Sequence, residues 1–183
     1  MQYNEDQQKS LELGTRGKIY RIIRKSPGLH FREIQRRSKL AIGNLQYQLE
    51  VLQKNHLVKT IKHGKFVRYY SVRGEPAEAD TGVLSLLRQD SIRKIVLFLL
   101  TEKRGTNFSI ASAIGLSPST TSWHVKKLLD AGIVEKRSRG KKRLFFLTNP
   151  EQVSTLLVNY RKSFLDELVD NFVETFQELS VPQ

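Results

Sequence analysis

The chain has 183 residues, enough for one large domain or two small ones, and its 39% hydrophobic fraction suffices for small cores. It contains no cysteine, which excludes disulfides, thiolate metal ligands and a cysteine nucleophile. Its formal net charge of +13 favours a polyanionic partner, above all nucleic acid, because each neutralised phosphate releases counterions.

The first half of the chain predicts a small helical unit that ends in a hairpin. Residues 1–14 are polar and are assigned to an N-terminal extension. Apolar spacing and helix breakers predict helices over residues 15–25, 30–37 and 44–55 and strands over residues 57–60 and 66–72. The predicted order is therefore helix, helix, turn, helix and hairpin.

The same pattern recurs 76 residues later without a gap. Apolar and turn residues match in the pairs Ile19 and Ile95, Ile34 and Ile110, Leu40 and Leu116, Leu52 and Leu128, Val58 and Val134, and Gly64 and Gly140. A match of this length at core and turn positions indicates an internal duplication. We therefore predict two domains, residues 15–73 and 91–149, joined by a linker at 74–90 that contains a short helix from Val83 to Leu87.

The clearest helix of the second copy lies between Leu116 and Val134. Ser117 or Ser119 can cap its free amides, and Pro118 suits its first turn. A glycine follows its end, where a left-handed residue commonly closes a helix. One face is predicted to point into the core, namely Thr121, Val125 and Leu128.

Residues 116–134 follow the pattern Leu-Ser-x-Ser-Thr-x-Ser-x-His-φ-x-x-Leu-x-x-Ala-Gly-φ-Val, where φ is apolar. This segment resembles the recognition helix of winged helix-turn-helix transcription regulators of the ArsR/MarR-like type, as in archaeal two-unit regulators. Thr121 and Trp123 depart mildly from the usual residues. The resemblance covers residues 15–149 and implies a mainly α fold with small β-wings (α+β), two winged helix-turn-helix domains in tandem, and double-stranded DNA as partner.

Residues 150–183 differ from the rest of the chain. Residues 151–183 carry six acidic and two basic residues, so the preceding part has a net charge of +17. Apolar residues spaced by three or four predict one long amphipathic helix, whose stripe must be covered. It either folds back on the second domain or pairs with its copy in a homodimer, which is the arrangement we expect. The residues assigned to this dimer contact are Leu157, Tyr160, Phe164, Leu168, Phe172 and Phe176.

The candidate base-reading residues lie on the third helix of each copy. A helix fits the major groove of DNA, and its N-terminal half usually reaches the base edges. In the first domain these positions hold Asn44, Gln46 and Tyr47, and amides of this kind can bind adenine at two points. In the second domain they hold Ser119, Thr120, Ser122, Trp123 and Lys126, with His124 at the edge. Asn44, Ser119 and Thr120 could instead be helix caps.

Both predicted wings are basic. The second has six cations within eight residues, 136–143, and such a hairpin repels itself unless phosphates or solvent neutralise it. The first has no acidic residue between Glu50 and Glu75. The wing residues assigned to the phosphate backbone or the minor groove are His63, Lys65, Arg68, Arg139, Lys141 and Lys142.

Other chemistry is sparse in the sequence. Histidines occur at positions 30, 56, 63 and 124 without acidic partners at ligand spacing, so no metal site is expected. A phosphate-binding glycine loop, a nucleophile elbow and a paired-carboxylate motif are absent, so we expect neither an enzyme nor a cofactor. No apolar run of membrane-spanning length and no secretory leader occurs, so we expect a cytoplasmic protein.

The sequence thus favours a sequence-specific DNA-binding transcription regulator, a homodimer through its C-terminal helix. Two alternatives stay open: a protein-interaction or assembly module of the transcription machinery, and a chromatin-like protein that binds DNA without sequence preference. The sequence identifies no small-molecule effector.

Overall fold

The computed structural model describes residues 14–63, 66–73, 76, 78–140, 142–164, 169 and 172–173. The chain divides into two compact units between Thr81 and Gly82. Each unit contains its own cluster of buried hydrophobic side chains. In the part of the chain that the structure describes, every helix is too short or too polar to span a bilayer.

In the described residues up to Ser71, the first unit contains three helices and a three-stranded antiparallel sheet. Its elements are α1 (Gly14–Lys25), β1 (Leu29–His30), α2 (Phe31–Ser38), α3 (Ile42–Lys54), β2 (Val58–His63) and β3 (Phe66–Ser71). Strand β3 lies between β1 and β2, and the β2–β3 hairpin pairs Val58 with Ser71. Because α3 places Leu45, Leu49 and Leu52 on one face, it packs that face into the core and leaves the other face to solvent.

The second half of the chain repeats this arrangement and extends it. Its elements are α4 (Glu78–Leu87), α5 (Asp90–Glu102), α6 (Asn107–Ile114), α7 (Pro118–Asp130), β4 (Val134–Arg139), β5 (Lys142–Leu147), α8 (Pro150–Asn159) and α9 (Arg161–Phe164). Strands β4 and β5 form an antiparallel hairpin in which Val134 lies opposite Leu147. The predicted junction helix is longer than expected, because α4 already begins at Glu78.

The predicted duplication is confirmed in the secondary structure. Helices α6 and α7 and strands β4 and β5 have the same lengths as α2, α3, β2 and β3 and begin 76 residues after them. One element was not predicted from the sequence: the short strand β1, where Leu29 lies opposite Tyr69. In the second unit its counterpart is a single bridge between Gly105 and Phe145. The fold is therefore mainly α, with small β-wings and two winged helix-turn-helix domains in tandem.

Gly105, which forms this bridge, lies close to two side chains of the core. A Cβ atom on Gly105 would lie 2.7 Å from Cε1 of Phe98 and 2.9 Å from Cγ1 of Ile110. The first unit has Leu29 and Ile22 where the second has Gly105 and Phe98. The large phenylalanine ring thus occupies the space that the leucine side chain fills in the first unit.

The prediction of one long C-terminal helix is wrong, because α8 ends at Asn159 and α9 begins only after Tyr160. The expectation that its apolar stripe faces a second chain is also wrong for Leu157 and Phe164, which are buried in the core of the second unit. Tyr160 and Phe172 are partly buried against the same core. Leu168 and Phe176 lie outside the described residues. These contacts agree with the alternative arrangement, in which the stripe folds back on its own domain.

Candidate nucleic-acid interface

Helix α7 begins where local chemistry places its first turn. The Oγ of Ser117 accepts a hydrogen bond from the backbone N–H of Thr120 at 3.2 Å, and Pro118 occupies the first helical position. Of the two predicted caps, Ser117 is therefore the one used. Gly132 follows the helix with φ +68, the left-handed conformation predicted for it.

The outer face of α7 carries the side chains that the sequence assigned to DNA. Thr121, Val125 and Leu128 are buried, as predicted. The exposed residues are Ser119, Thr120, Ser122, Trp123 and Lys126. This surface, the α7 face, contains three hydroxyl side chains, one aromatic ring and a lysine near the end of the helix. Hydroxyl groups, a cation and an aromatic ring are all suited to contacts with bases and phosphates.

His124 does not lie at the edge of the α7 face, where the sequence placed it. The residue is only 9% exposed, and its Nδ1 is buried without a hydrogen-bond partner among the described residues. Burial lowers the pKa of His124 below its ordinary value, and the charge of Lys127 lowers that pKa further. The prediction that it contacts DNA is therefore corrected: the imidazole is a neutral, inward group at neutral pH.

Trp123 is held in place although 56% of it is exposed. The ammonium of Lys127 lies 3.5 Å from the centroid of the indole ring, within the range of a cation–π contact. Lys127 also donates a hydrogen bond to Oε1 of Gln89 at 3.2 Å. The ring of His124 meets the indole edge-on, with the two centroids 4.9 Å apart. The sequence did not predict Lys127 in this role; its spacing of four residues from Trp123 was the available signal.

Helix α3 presents the corresponding face in the first unit. Asn44, Gln46 and Tyr47 are exposed, and Tyr47 has 59% of its surface accessible. The amides contact neighbours one turn away, since Nε2 of Gln46 donates to Glu50 at 3.4 Å and Asn44 accepts from Gln48 at 3.3 Å. Both hydrogen bonds are long and solvent-exposed, so a stronger partner can replace them.

The structure describes only part of the basic surface predicted for the wings. Lys142 is exposed at the start of β5. Lys65 and Lys141 lie outside the described residues, as do the side chains of His63 and Arg139. A neighbouring cation is partly neutralised, because Arg137 forms an ion pair with Glu135 and stacks on the ring of Phe146 at 4.9 Å.

Arg68 contradicts the prediction that it binds DNA. It is 3% exposed, and its Nη1 donates to the carbonyl oxygen of Gly28 at 2.8 Å. The carboxylate of Glu33 lies 3.7 Å from the same nitrogen. Burial lowers the pKa of Arg68, and the charge of Glu33 opposes that effect. The guanidinium therefore joins the wing to the helices of its own unit.

A small open pocket in the second unit has a basic lining that the sequence analysis did not single out. It is formed by Arg104, Thr106, Lys142 and Leu144. Thr106 caps α6 by accepting a hydrogen bond from the N–H of Ser109 at 3.1 Å. The first unit fills the equivalent positions differently, with His30 stacked on Phe66 at 5.7 Å. No cluster able to hold a metal ion occurs among the described residues.

Comparison with known proteins finds helix-turn-helix domains in both halves of the chain. Residues 13–81 match a family described as an N-terminal HTH domain, and residues 88–135 match a winged helix-turn-helix DNA-binding family. An uncharacterized HTH-type transcriptional regulator of Methanocaldococcus jannaschii is 30% identical over 144 residues. That alignment covers 78% of this chain but 35% of the other protein, so the chain spans about a third of its relative's length.

Two solved structures show weaker similarity. Reduced HlyU from Vibrio cholerae is 20% identical with a TM-score of 0.41, covering 46% of this chain and 87% of its own. A mutant of ZitR from Lactococcus lactis is 20% identical with a TM-score of 0.35, covering 76% of this chain and 83% of its own. Both scores are too low to indicate a shared overall arrangement. The family matches and the repeated elements together identify the chain as a tandem of two helix-turn-helix domains.

Proposed function

We propose that the chain binds double-stranded DNA sequence-specifically and regulates transcription, as a tandem regulator of the ArsR/MarR-like type. The winged domains occupy residues 15–73 and 91–149, with residues 74–90 between them. The observation that carries the proposal is the α7 face: an exposed surface of hydroxyls, lysine and a held aromatic ring on the third helix of a helix-turn-helix domain.

The two third helices suit different contacts. The exposed amides of Asn44 and Gln46 can each bind adenine at two points in the major groove. The small hydroxyl residues of α7 allow that helix to approach closely and to bond several kinds of base. Sequence choice therefore comes from both helices, while cations such as Lys142 and Lys126 contact phosphates.

The charge distribution supports a polyanionic partner. The chain has 31 basic and 18 acidic side chains. Its acidic excess lies in residues 151–183, which follow both wings in the sequence, so the helix-turn-helix domains carry the positive charge. Such a surface gains affinity from counterion release, and this affinity falls steeply with salt.

Two observations favour the second candidate, a protein-interaction module. Phe108 is 75% exposed on α6, and Glu50 is exposed on the α3 face that would enter the groove. An exposed aromatic ring is typical of contacts with protein, and a carboxylate disfavours contact with phosphate because the two negative charges repel. The outcome of the binding experiment below distinguishes the two functions.

A homodimer remains part of the proposal, but the buried residues Leu157 and Phe164 do not carry its interface. Winged-helix dimers place two copies on DNA half-sites separated by whole helical turns. Sedimentation of the full chain, free and with DNA, measures the number of copies. A monomer in both states contradicts the dimer without affecting the proposal of DNA binding.

Selection of bound fragments from random duplex DNA, repeated at two salt concentrations, tests the proposed function. One enriched motif supports the regulator, and binding without a motif supports the chromatin-like alternative. Absence of binding supports the protein module. Lys142→Ala is expected to weaken all duplexes alike, whereas Lys162→Ala, which removes an exposed cation of the C-terminal segment, serves as the matched control.

A further inference from the structure

Trp123 is the one large apolar side chain on the α7 face. The residues one turn before it are Ser119 and Thr120, and those one turn after it are Lys126 and Lys127. The indole is thus surrounded by hydroxyls and cations, with no acidic neighbour at these positions. Its surface suits a strongly anionic partner that also presents an apolar group.

The indole is ordered before any partner arrives. Lys127 covers the ring at 3.5 Å and is itself held by Gln89, while His124 contacts the ring at a centroid distance of 4.9 Å. A side chain that already has its bound conformation loses little entropy when it makes a contact. An exposed ring fixed in this way is suited to recognition at a defined point.

The first unit lacks the residues that contact the ring of Trp123 in the second unit. Tyr47 is the counterpart of Trp123, but Gln48 and Val51 stand where the second unit has His124 and Lys127. Neither of these side chains carries a charge or a ring. Of the two third helices, only α7 therefore has an aromatic ring held by these contacts, which distinguishes it from α3.

In the major groove of DNA, the C5-methyl group of thymine is the apolar group that distinguishes one base from the others. We infer that Trp123 recognises a thymine methyl group and thereby determines specificity at one position of the DNA site. This inference rests on the proposed function. It predicts that one thymine of the enriched motif owes its preference to its methyl group rather than to its hydrogen bonds.

The test replaces each thymine of the enriched duplex by deoxyuridine, one position at a time. Uracil pairs like thymine but lacks the methyl group. For the unaltered chain, one substitution is expected to weaken binding about fourfold, the factor that corresponds to one buried methyl group. Trp123→Ala is expected to bind thymine and uracil equally at that position. Phe108→Ala, which removes an exposed ring outside the α7 face, is expected to keep the discrimination.

A second readout uses the fact that Trp123 is the only tryptophan of the chain. Its fluorescence is expected to change on binding the thymine duplex and to change less with the uracil duplex. If an enriched motif exists but no deoxyuridine substitution weakens binding, the inference is wrong while the proposed function stands. It is also wrong if Trp123→Ala keeps the discrimination. If no duplex is enriched or bound, both are wrong.

Discussion

Arg88 and Ser163 are joined by two hydrogen bonds across 75 residues of chain. Nη1 of Arg88 donates to the carbonyl oxygen of Ser163 at 2.7 Å, and Nη2 donates to its Oγ at 3.0 Å. The same guanidinium lies 4.7 Å from the ring centroid of Phe164. One side chain therefore fastens the C-terminal segment to the turn between α4 and α5.

Replacement of this fastening residue is expected to destabilise the second unit. Arg88→Ala removes both charge-assisted hydrogen bonds and the contact with Phe164, which should lower the free energy of unfolding by about 2 kcal/mol. Urea unfolding measures this loss, and hydrogen exchange should accelerate around Ser163. Lys162→Ala is the control, since it removes a cation that is exposed in the same segment. Equal stability of the two variants would contradict the role of Arg88.

Replacement of Arg68 is expected to change stability but not the salt dependence of DNA binding. Replacement of Lys142 is expected to do the reverse. Arg68→Leu copies the second unit, where Leu144 occupies the equivalent position, and breaks the buried hydrogen bond to Gly28. It should cost about 2 kcal/mol of stability and leave the salt dependence of DNA binding unchanged. Lys142→Ala should keep the stability and reduce the slope of log affinity against log salt by about 1. A reduced slope for Arg68→Leu would place that guanidinium on DNA after all.

A side chain at Gly105 is expected to be destabilising, because its Cβ would overlap Phe98 most closely and Ile110 as well. Gly105→Ala places a Cβ 2.7 Å from the phenylalanine ring and should lower the free energy of unfolding by about 2 kcal/mol. The double variant with Phe98→Ile, the residue type of the first unit, should recover part of this loss. Gly82→Ala is the control, because its Cβ would meet no atom within 4 Å inside helix α4. A double variant no more stable than Gly105→Ala would show that the ring is not the obstacle.

Stability is expected to fall as the pH drops below neutrality. Burial lowers the pKa of His124 and that of His30 in the folded chain, so protonation favours the unfolded chain. The stability that these two neutral histidines contribute is fully present above the pKa of the unfolded chain, near 6.5. It is lost as the pH falls through their lower pKa in the folded chain. His124→Gln, the residue type of the first unit, should lose less stability between about pH 7 and 5.

Urea unfolding at a series of pH values measures this difference. The unaltered chain, measured under the same conditions, is the reference. An unchanged pH dependence in His124→Gln would show that this imidazole does not couple protonation to folding.

Several features were predictable from the sequence because they depend on residues close together in the chain. The apolar spacing of Leu45, Leu49 and Leu52 determines which face of α3 is buried, and Ser117 and Pro118 determine where α7 begins. The duplication was also predictable, because core and turn residues can be matched in the sequence without knowing which residues are in contact. These local patterns were sufficient to predict the two winged domains and the exposed helix face that carries Trp123.

Other features were decided by tertiary contacts. A basic residue on a strand can point to solvent or inward, and Arg68 points inward because Gly28 and Glu33, distant in the chain, bind it there. An apolar stripe must be buried, but the sequence does not specify which surface buries it. Phe164 is buried in the core of its own unit. Helical periodicity is local, whereas burial depends on which distant groups meet a side chain, and only the folded chain determines that.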